Sequence, residues 1–382
     1  MNKQVYAVLG AGNGGQAMAG YLGRRGFEVR LYNRSPARLG PVWRRGGVAL
    51  DGVVQGLGQV ELATTDLAEA VTGADVLMVV LPATGHRSLA SQLAAVIAPG
   101  QIVVLNPGRT GGALEVRNTL IERRAPRDVV VAEAQTMLFA SRVLDDGICH
   151  IYSIKRFVPL AAVPADDTAK AIAALNAAFP QFYAASSVLE TSLDNMGAIF
   201  HPGVTLLNAA RIEATGGDFD YYQEGVTPTV ARVIEQIDNE RMEVAEAYGV
   251  RARSAQEWLA EAYGADGGTL REAVLNNPGY AGIKAPPHLN HRYIWEDVPT
   301  SLVPIADLGR IAGVPTPTIN AMIALASAAH DTDYRREGRN AVSMGIAGLS
   351  ASEVLELITE GDAAFGETAF YAEPQVAGDL PG

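Results

Sequence analysis

Val5-Tyr6-Ala7-Val8-Leu9-Gly10-Ala11-Gly12-Asn13-Gly14-Gly15-Gln16 sends a short apolar run straight into glycines spaced Gly10-x-Gly12-x-x-Gly15. The run reads as a buried strand, residues 16–25 as the helix that follows, and Glu28–Tyr32 as the next strand. That setting gives each glycine a task. Gly10 permits a tight turn, Gly12 lets the backbone approach a pyrophosphate, and Gly15 lets the helix sit close on the strand. The helix N-terminus then aims its free amides at phosphate oxygens. Gly10, Gly12, Asn13, Gly14 and Gly15 are therefore expected to bind a dinucleotide.

Where a free ribose 2′-hydroxyl is recognised, the second strand ends in Asp or Glu. Here it ends Tyr32-Asn33-Arg34. Asn33 removes the carboxylate that would repel a 2′-phosphate, and Arg34, with Arg38 a helical turn further, offers planar donors to one. NADP is expected over NAD. Two further strand-to-helix turns, 81–86 and 105–112, face the same sheet edge, so Leu81 and Pro82 are expected to border the nicotinamide. His86 in the first of these turns reads as an ordinary loop histidine. Thr136, closing the next strand, is a candidate donor to a substrate carboxylate.

β-Rich runs at Val5–Leu9, Glu28–Tyr32, 76–81, Ile102–Leu105, 129–132 and 148–154 alternate with amphipathic segments such as 87–97 and 113–123. This is the pattern of an α/β, doubly wound parallel sheet of Rossmann type. From about residue 186 helical periodicity takes over, most clearly at 226–248, where Thr227-Pro228 supplies an N-cap and a first-turn proline. The expected domains are a cofactor domain, 1–185, and an all-helical substrate domain, 186–382. The tail from about Glu373 is expected to fray. With 382 residues, 48% of them hydrophobic, the chain is long enough to bury a large core. A net charge of −12 argues against nucleic acid and anionic membrane surfaces as partners. The only cysteine, Cys149, excludes an internal disulfide and reads as a buried apolar residue, and no apolar window is long enough to span a bilayer. A cytoplasmic protein without a resident metal is expected.

An acidic protein that binds small anions must build a local positive pocket. Lys284-Ala-Pro-Pro-His288-Leu-Asn-His291-Arg292 is such an island, with no acidic residue between Glu272 and Glu296. Asp297 follows, and a carboxylate beside a histidine fixes its tautomer and stabilises the imidazolium. His201, among apolar neighbours and just before Pro202, is either a core histidine or a general acid/base. The residues alone leave both readings open.

At 105–115, 196–213, 221–228 and 292–304, as well as at the glycine turn, the chain resembles the opine dehydrogenases of octopine/nopaline type, and most nearly the bacterial enzymes making N-(1-carboxyethyl)-norvaline-type products. The resemblance implies that His201 and Asp297 are the catalytic pair and Arg292 a substrate-contacting arginine. It also implies reductive condensation of an amino acid with a 2-oxo acid such as pyruvate. The sequence departs from NAD-using members at Asn33-Arg34, so the cofactor is not carried over. A simple 2-oxo acid reductase on the same plan and a non-catalytic NADP-binding sensor are the alternatives. A homodimer is the expected assembly.

Overall fold

A computed structural model describes residues 4–361; the fraying expected from Glu373 lies outside them. Twelve strands are formed: β1 (Val5–Leu9), β2 (Glu28–Tyr32), β3 (Gly47–Gly52), β4 (Gly56–Gln59), β5 (Leu62–Thr64), β6 (Val76–Val79), β7 (Ile102–Leu105), β8 (Val130–Ala134), β9 (Phe139–Val143), β10 (Cys149–Ile154), β11 (Val158–Val163) and β12 (Phe182–Ala184). Eight of them make one sheet in the order β12-β11-β8-β7-β6-β1-β2-β5. Pairing is parallel throughout except between β8 and β11, so β11 and β12 run against the rest.

The continuous apolar runs of β1, β6 and β7 follow from burial on both faces. Tyr6, Val8, Val76, Met78, Ile102 and Val104 enter one core with Met18 and Leu22 of the helix Asn13–Arg24. Ala7, Leu9, Leu77, Val79, Val103 and Leu105 enter the other, which continues without a break into Ile199, Val204, Ile234 and Ile237 of the helical half. Each fully buried aliphatic side chain of this kind contributes about 1.5–3 kcal/mol.

The sequence pattern erred at 148–154. A β-rich run was expected to extend the parallel sheet, but β10 belongs to a separate four-stranded sheet, β4-β3-β10-β9, with antiparallel outer pairs. That sheet lies against the helix Asn13–Arg24. β10 buries Cys149 and Ile151 but exposes Tyr152 and Ser153, unlike β6 and β7, which are covered on both faces.

Beyond β12 the described residues form helices. Pro228–Ala247 starts at Thr227, whose hydroxyl accepts from the Val230 amide at 3.3 Å. It packs on Met196–Leu207, Val303–Ala312 and Pro317–His330. The last helix of the described residues, Ala351–Glu360, returns to lie beside β11. No helix among the described residues is long and apolar enough to cross a membrane.

Candidate active site

At the C-terminal end of β1 the chain turns at Gly10 with φ +119°, and a Cβ on Gly15 would lie 1.7 Å from the Gly10 carbonyl oxygen. Only glycine allows that approach of helix to strand. The helix Asn13–Arg24 begins at Gly12 without a side-chain cap, and a Cβ on Gly12 would meet nothing within 4 Å. Open space in front of uncapped first-turn amides fits a dinucleotide pyrophosphate. Gly12, Asn13, Gly14, Leu81 and Pro82, together with Asn106 and Pro107, line one wall of a cavity of about 520 Å³. Asn13 Oδ1 accepts from the Val143 amide at 3.0 Å, which ties the side chain to the end of β9.

Asn33 welds the end of β2 to the glycine turn. Its Oδ1 accepts from the Ala11 amide at 3.0 Å and its Nδ2 donates to the Ser35 carbonyl at 2.9 Å. Arg34 and Arg38 stand exposed, with no hydrogen-bond or ion-pair partner among the described residues.

The helical half closes the same cavity with His201 and Arg292. His201 lies in the helix Met196–Leu207, and its Nδ1 is 2.8 Å from Oδ2 of Asp297. Asp297 is fully buried just ahead of the π-helical turn Val298–Leu302. Burial pushes its carboxyl pKa up, but Arg109 above all, then His201 and Arg292, hold it below the ordinary value. An anionic partner makes Nδ1 the donor and leaves Nε2 as the other ring nitrogen. Because Nδ1 points at a buried group, the partly exposed edge of the ring is the one bordering the cavity. Tyr293 stacks on the ring at 4.0 Å between centroids, and the Tyr221 hydroxyl donates to the His201 carbonyl at 3.0 Å.

Several site features carried no motif. Arg109 adopts φ +63° in the turn after β7, and its Nη1 lies 3.3 Å from both Asp297 Oδ1 and Asn195 Oδ1. It completes an alternating chain, since Glu296 sits 3.7 Å from Arg109 and 2.6 Å from Arg292. Lys155 also faces the cavity, its Nζ donating to Thr136 Oγ1 at 2.9 Å. Phe200, Tyr222, Trp258, Tyr263 and Tyr280 form an aromatic wall, with Tyr222 and Tyr280 stacked at 3.8 Å.

The expected cationic island is not a pocket. Arg292 alone of that segment borders the cavity together with Glu296, while Lys284 pairs with Asp218 and Asp220 at 3.3 Å on the surface. His291 instead caps the helix Arg292–Trp295. Acids distant in sequence meet the cations in space, which a linear charge count misses. His86 is fully buried with Nδ1 3.3 Å from Arg339, and desolvation, then Arg339 and Arg109, hold its pKa well below the usual value. Arg339 also donates to the Gly108 and Thr110 carbonyls at 3.0 and 2.8 Å and to Glu115 at 2.9 Å, which ties the turn after β7 to the far end of the chain.

Residues 184–330 match the family model "NAD/NADP octopine/nopaline dehydrogenase, alpha-helical domain", and residues 5–132 match that of the NAD-dependent glycerol-3-phosphate dehydrogenase N-terminus. The chain is 42% identical over 355 residues to an opine dehydrogenase of Arthrobacter sp. (strain 1C), covering 93% of this chain and 98% of that one. It is 26% identical to the D-nopaline dehydrogenase of Agrobacterium tumefaciens (strain T37), covering 83% of each. Octopine dehydrogenase in complex with NADH and agmatine superposes with a TM-score of 0.76 at 20% identity, covering 97% of this chain and 100% of that one. NADP+-bound yersinopine dehydrogenase does so with a TM-score of 0.71 at 17% identity, covering 94% and 98%. Identity at the level of the Arthrobacter enzyme, held along nearly the whole of both chains, makes this chain a member of the opine dehydrogenase family and an NAD(P)-dependent oxidoreductase.

Proposed function

We propose that the chain condenses an amino acid with a 2-oxo acid such as pyruvate and reduces the resulting imine to an N-(1-carboxyalkyl) amino acid, with NADPH as the preferred reductant. The observation that carries this reading is the His201–Asp297 pair, which opens on the cavity that the glycine turn also lines. When bound, the nicotinamide cofactor supplies the hydride that reduces the imine carbon. His201 protonates the carbonyl and carbinolamine oxygen so that water leaves, and Asp297 orients the ring and stabilises its charged form. Positioned acid/base groups contribute about 10²- to 10⁴-fold. Arg292 takes a substrate carboxylate, with Thr136 on the facing wall.

The choice of NADPH is supported by the end of β2, where Asn33 is neutral and Arg34 and Arg38 are unpaired among the described residues. Octopine dehydrogenase held with NADH and L-arginine, or with NADH and pyruvate, supports the two substrate classes. Residues 1–185 are assigned to cofactor binding and 186–382 to the substrate. The test is cofactor oxidation with amino acids and 2-oxo acids supplied singly and together, with product masses recorded. Oxidation that needs both, with the mass of the reductive condensate, is expected. An equal rate without the amine would replace this reading by simple reduction of the oxo acid, and tight NADPH binding without turnover on any pair by a sensor.

A further inference from the structure

The reaction proposed above brings two carboxylates into one cavity, and each needs a cation. Three cationic side chains line it: Arg109, Arg292 and Lys155. Arg109 is neutralised by Asp297 and Glu296, and Arg292 is paired with Glu296. Lys155 has no carboxylate partner among the described residues, and its ammonium donates only to the Thr136 hydroxyl. A hydroxyl that accepts from an ammonium keeps its own proton to donate. Lys155 and Thr136 therefore present two donors side by side to the cavity, with no carboxylate among the described residues to receive them.

We infer that Lys155, with Thr136, receives the α-carboxylate of the amino-acid substrate and so selects amino acids over simple amines. The assignment to the amino acid follows from the two walls. An oxo acid must place its carbonyl at His201, and its carboxylate, on the adjacent carbon, then falls to the arginine on the same side, Arg292. Lys155 lies on the sheet side. Desolvation and then the charge of Arg253 lower its pKa to about 8, a shift moderated by the exposure of the residue to the cleft. Arg253 lies just ahead of Ser254, the cap of the helix Ala255–Tyr263, which carries Trp258 and Tyr263 of the aromatic wall. A carboxylate on Lys155 thus leaves the substrate side chain facing that wall and the amino group facing the middle of the cavity. A bound anion also supplies the counter-charge the ammonium lacks.

The experiment compares the amino acid that gives the highest rate with pyruvate among the proteinogenic set with the amine formed by removing its carboxylate, for leucine 3-methylbutylamine. In the unaltered protein the amino acid should exceed the amine in kcat/KM by about ten- to a hundredfold, the span of a charge-assisted hydrogen bond. Lys155→Met should remove most of that preference by lowering kcat/KM for the amino acid while leaving the amine unchanged. KM for pyruvate and Kd for NADPH should stay constant, and Lys155→Arg should keep much of the preference. Equal losses on amino acid and amine would overturn the assignment, as would a loss carried by the pyruvate KM or the NADPH Kd. So would an unaltered protein that accepts both amines equally. A protein that shows no amine-dependent oxidation at all fails at the reaction itself, and this is seen before any variant is made.

Discussion

Asp297→Asn keeps the size and one acceptor of the carboxylate and removes its charge, which isolates the electrostatic part of the pair. Asp297 Oδ2 lies 2.8 Å from His201 Nδ1, and the residue is fully buried. Unit charges about 4 Å apart at an effective dielectric near 20 interact by about 4 kcal/mol. Arg109, 3.3 Å from the other carboxylate oxygen, draws on the same negative charge, so the imidazolium receives less than the whole. Removing it should lower kcat by about two to three decades at about 1.4 kcal/mol per decade. The assay is initial-rate kinetics with amine, oxo acid and cofactor varied separately, beside an NADPH titration and a thermal midpoint. NADPH affinity should hold, because the glycine turn lies across the cavity. The midpoint should fall, since Arg109 keeps Glu296 as its one carboxylate partner among the described residues, and breaking a buried ion pair costs about 3–5 kcal/mol. A kcat within tenfold of the unaltered protein would refute the argument and return His201 to the core-histidine reading.

Arg34→Ala should weaken NADPH about tenfold while leaving NADH nearly unchanged, because an exposed guanidinium offers the 2′-phosphate one charge-assisted contact. Equal binding of both cofactors by the unaltered protein would count against it. Arg339→Met strips the partners from Glu115 and two turn carbonyls, so urea denaturation should register a loss of about 3–5 kcal/mol, and a loss below about 1 kcal/mol would contradict that account. His86 is depressed well below 6.5 in the fold, so below that pH the unfolded chain binds the extra proton and stability falls with pH. The slope for one proton is about 1.4 kcal/mol per pH unit. His86→Gln cannot take the proton and should lose less stability between pH 6.5 and 5, as read by urea midpoints; parallel slopes would exclude His86 as the source.

The nucleotide half was legible because its signals are local. Gly10, Gly12 and Gly15 belong to one turn whose sterics depend on residues a few positions apart, and β1, β6 and β7 are apolar on both faces because both faces are covered. The helix at 226–248 was equally readable from its cap and its period. Strand partners were not. β10, which buries Cys149 and Ile151 but exposes Tyr152 and Ser153, joins the small sheet, while the more apolar β11 runs antiparallel in the large one. A side-chain pattern reports how many faces of a strand are covered, and leaves open which neighbour it meets and in which direction.

The charged part of the cavity was hidden for a related reason. Sequence proximity gathered Lys284, His288, His291 and Arg292 into one positive island, but charges act through space: Asp218 and Asp220 hold Lys284 at the surface, and Arg292 alone of the four reaches the cavity wall, beside Glu296. Arg109 and Lys155 stand in stretches with no charge cluster of their own, and they matter because folding sets them in the cavity wall. What separates the two is their company. Arg109 is committed to Asp297 and Glu296, so its charge acts on the protein, whereas Lys155 meets only a hydroxyl among the described residues, so its charge is available to a ligand. Counter-charge withheld by the fold is thus one mark of a binding cation, and it is defined only after the acids have been placed.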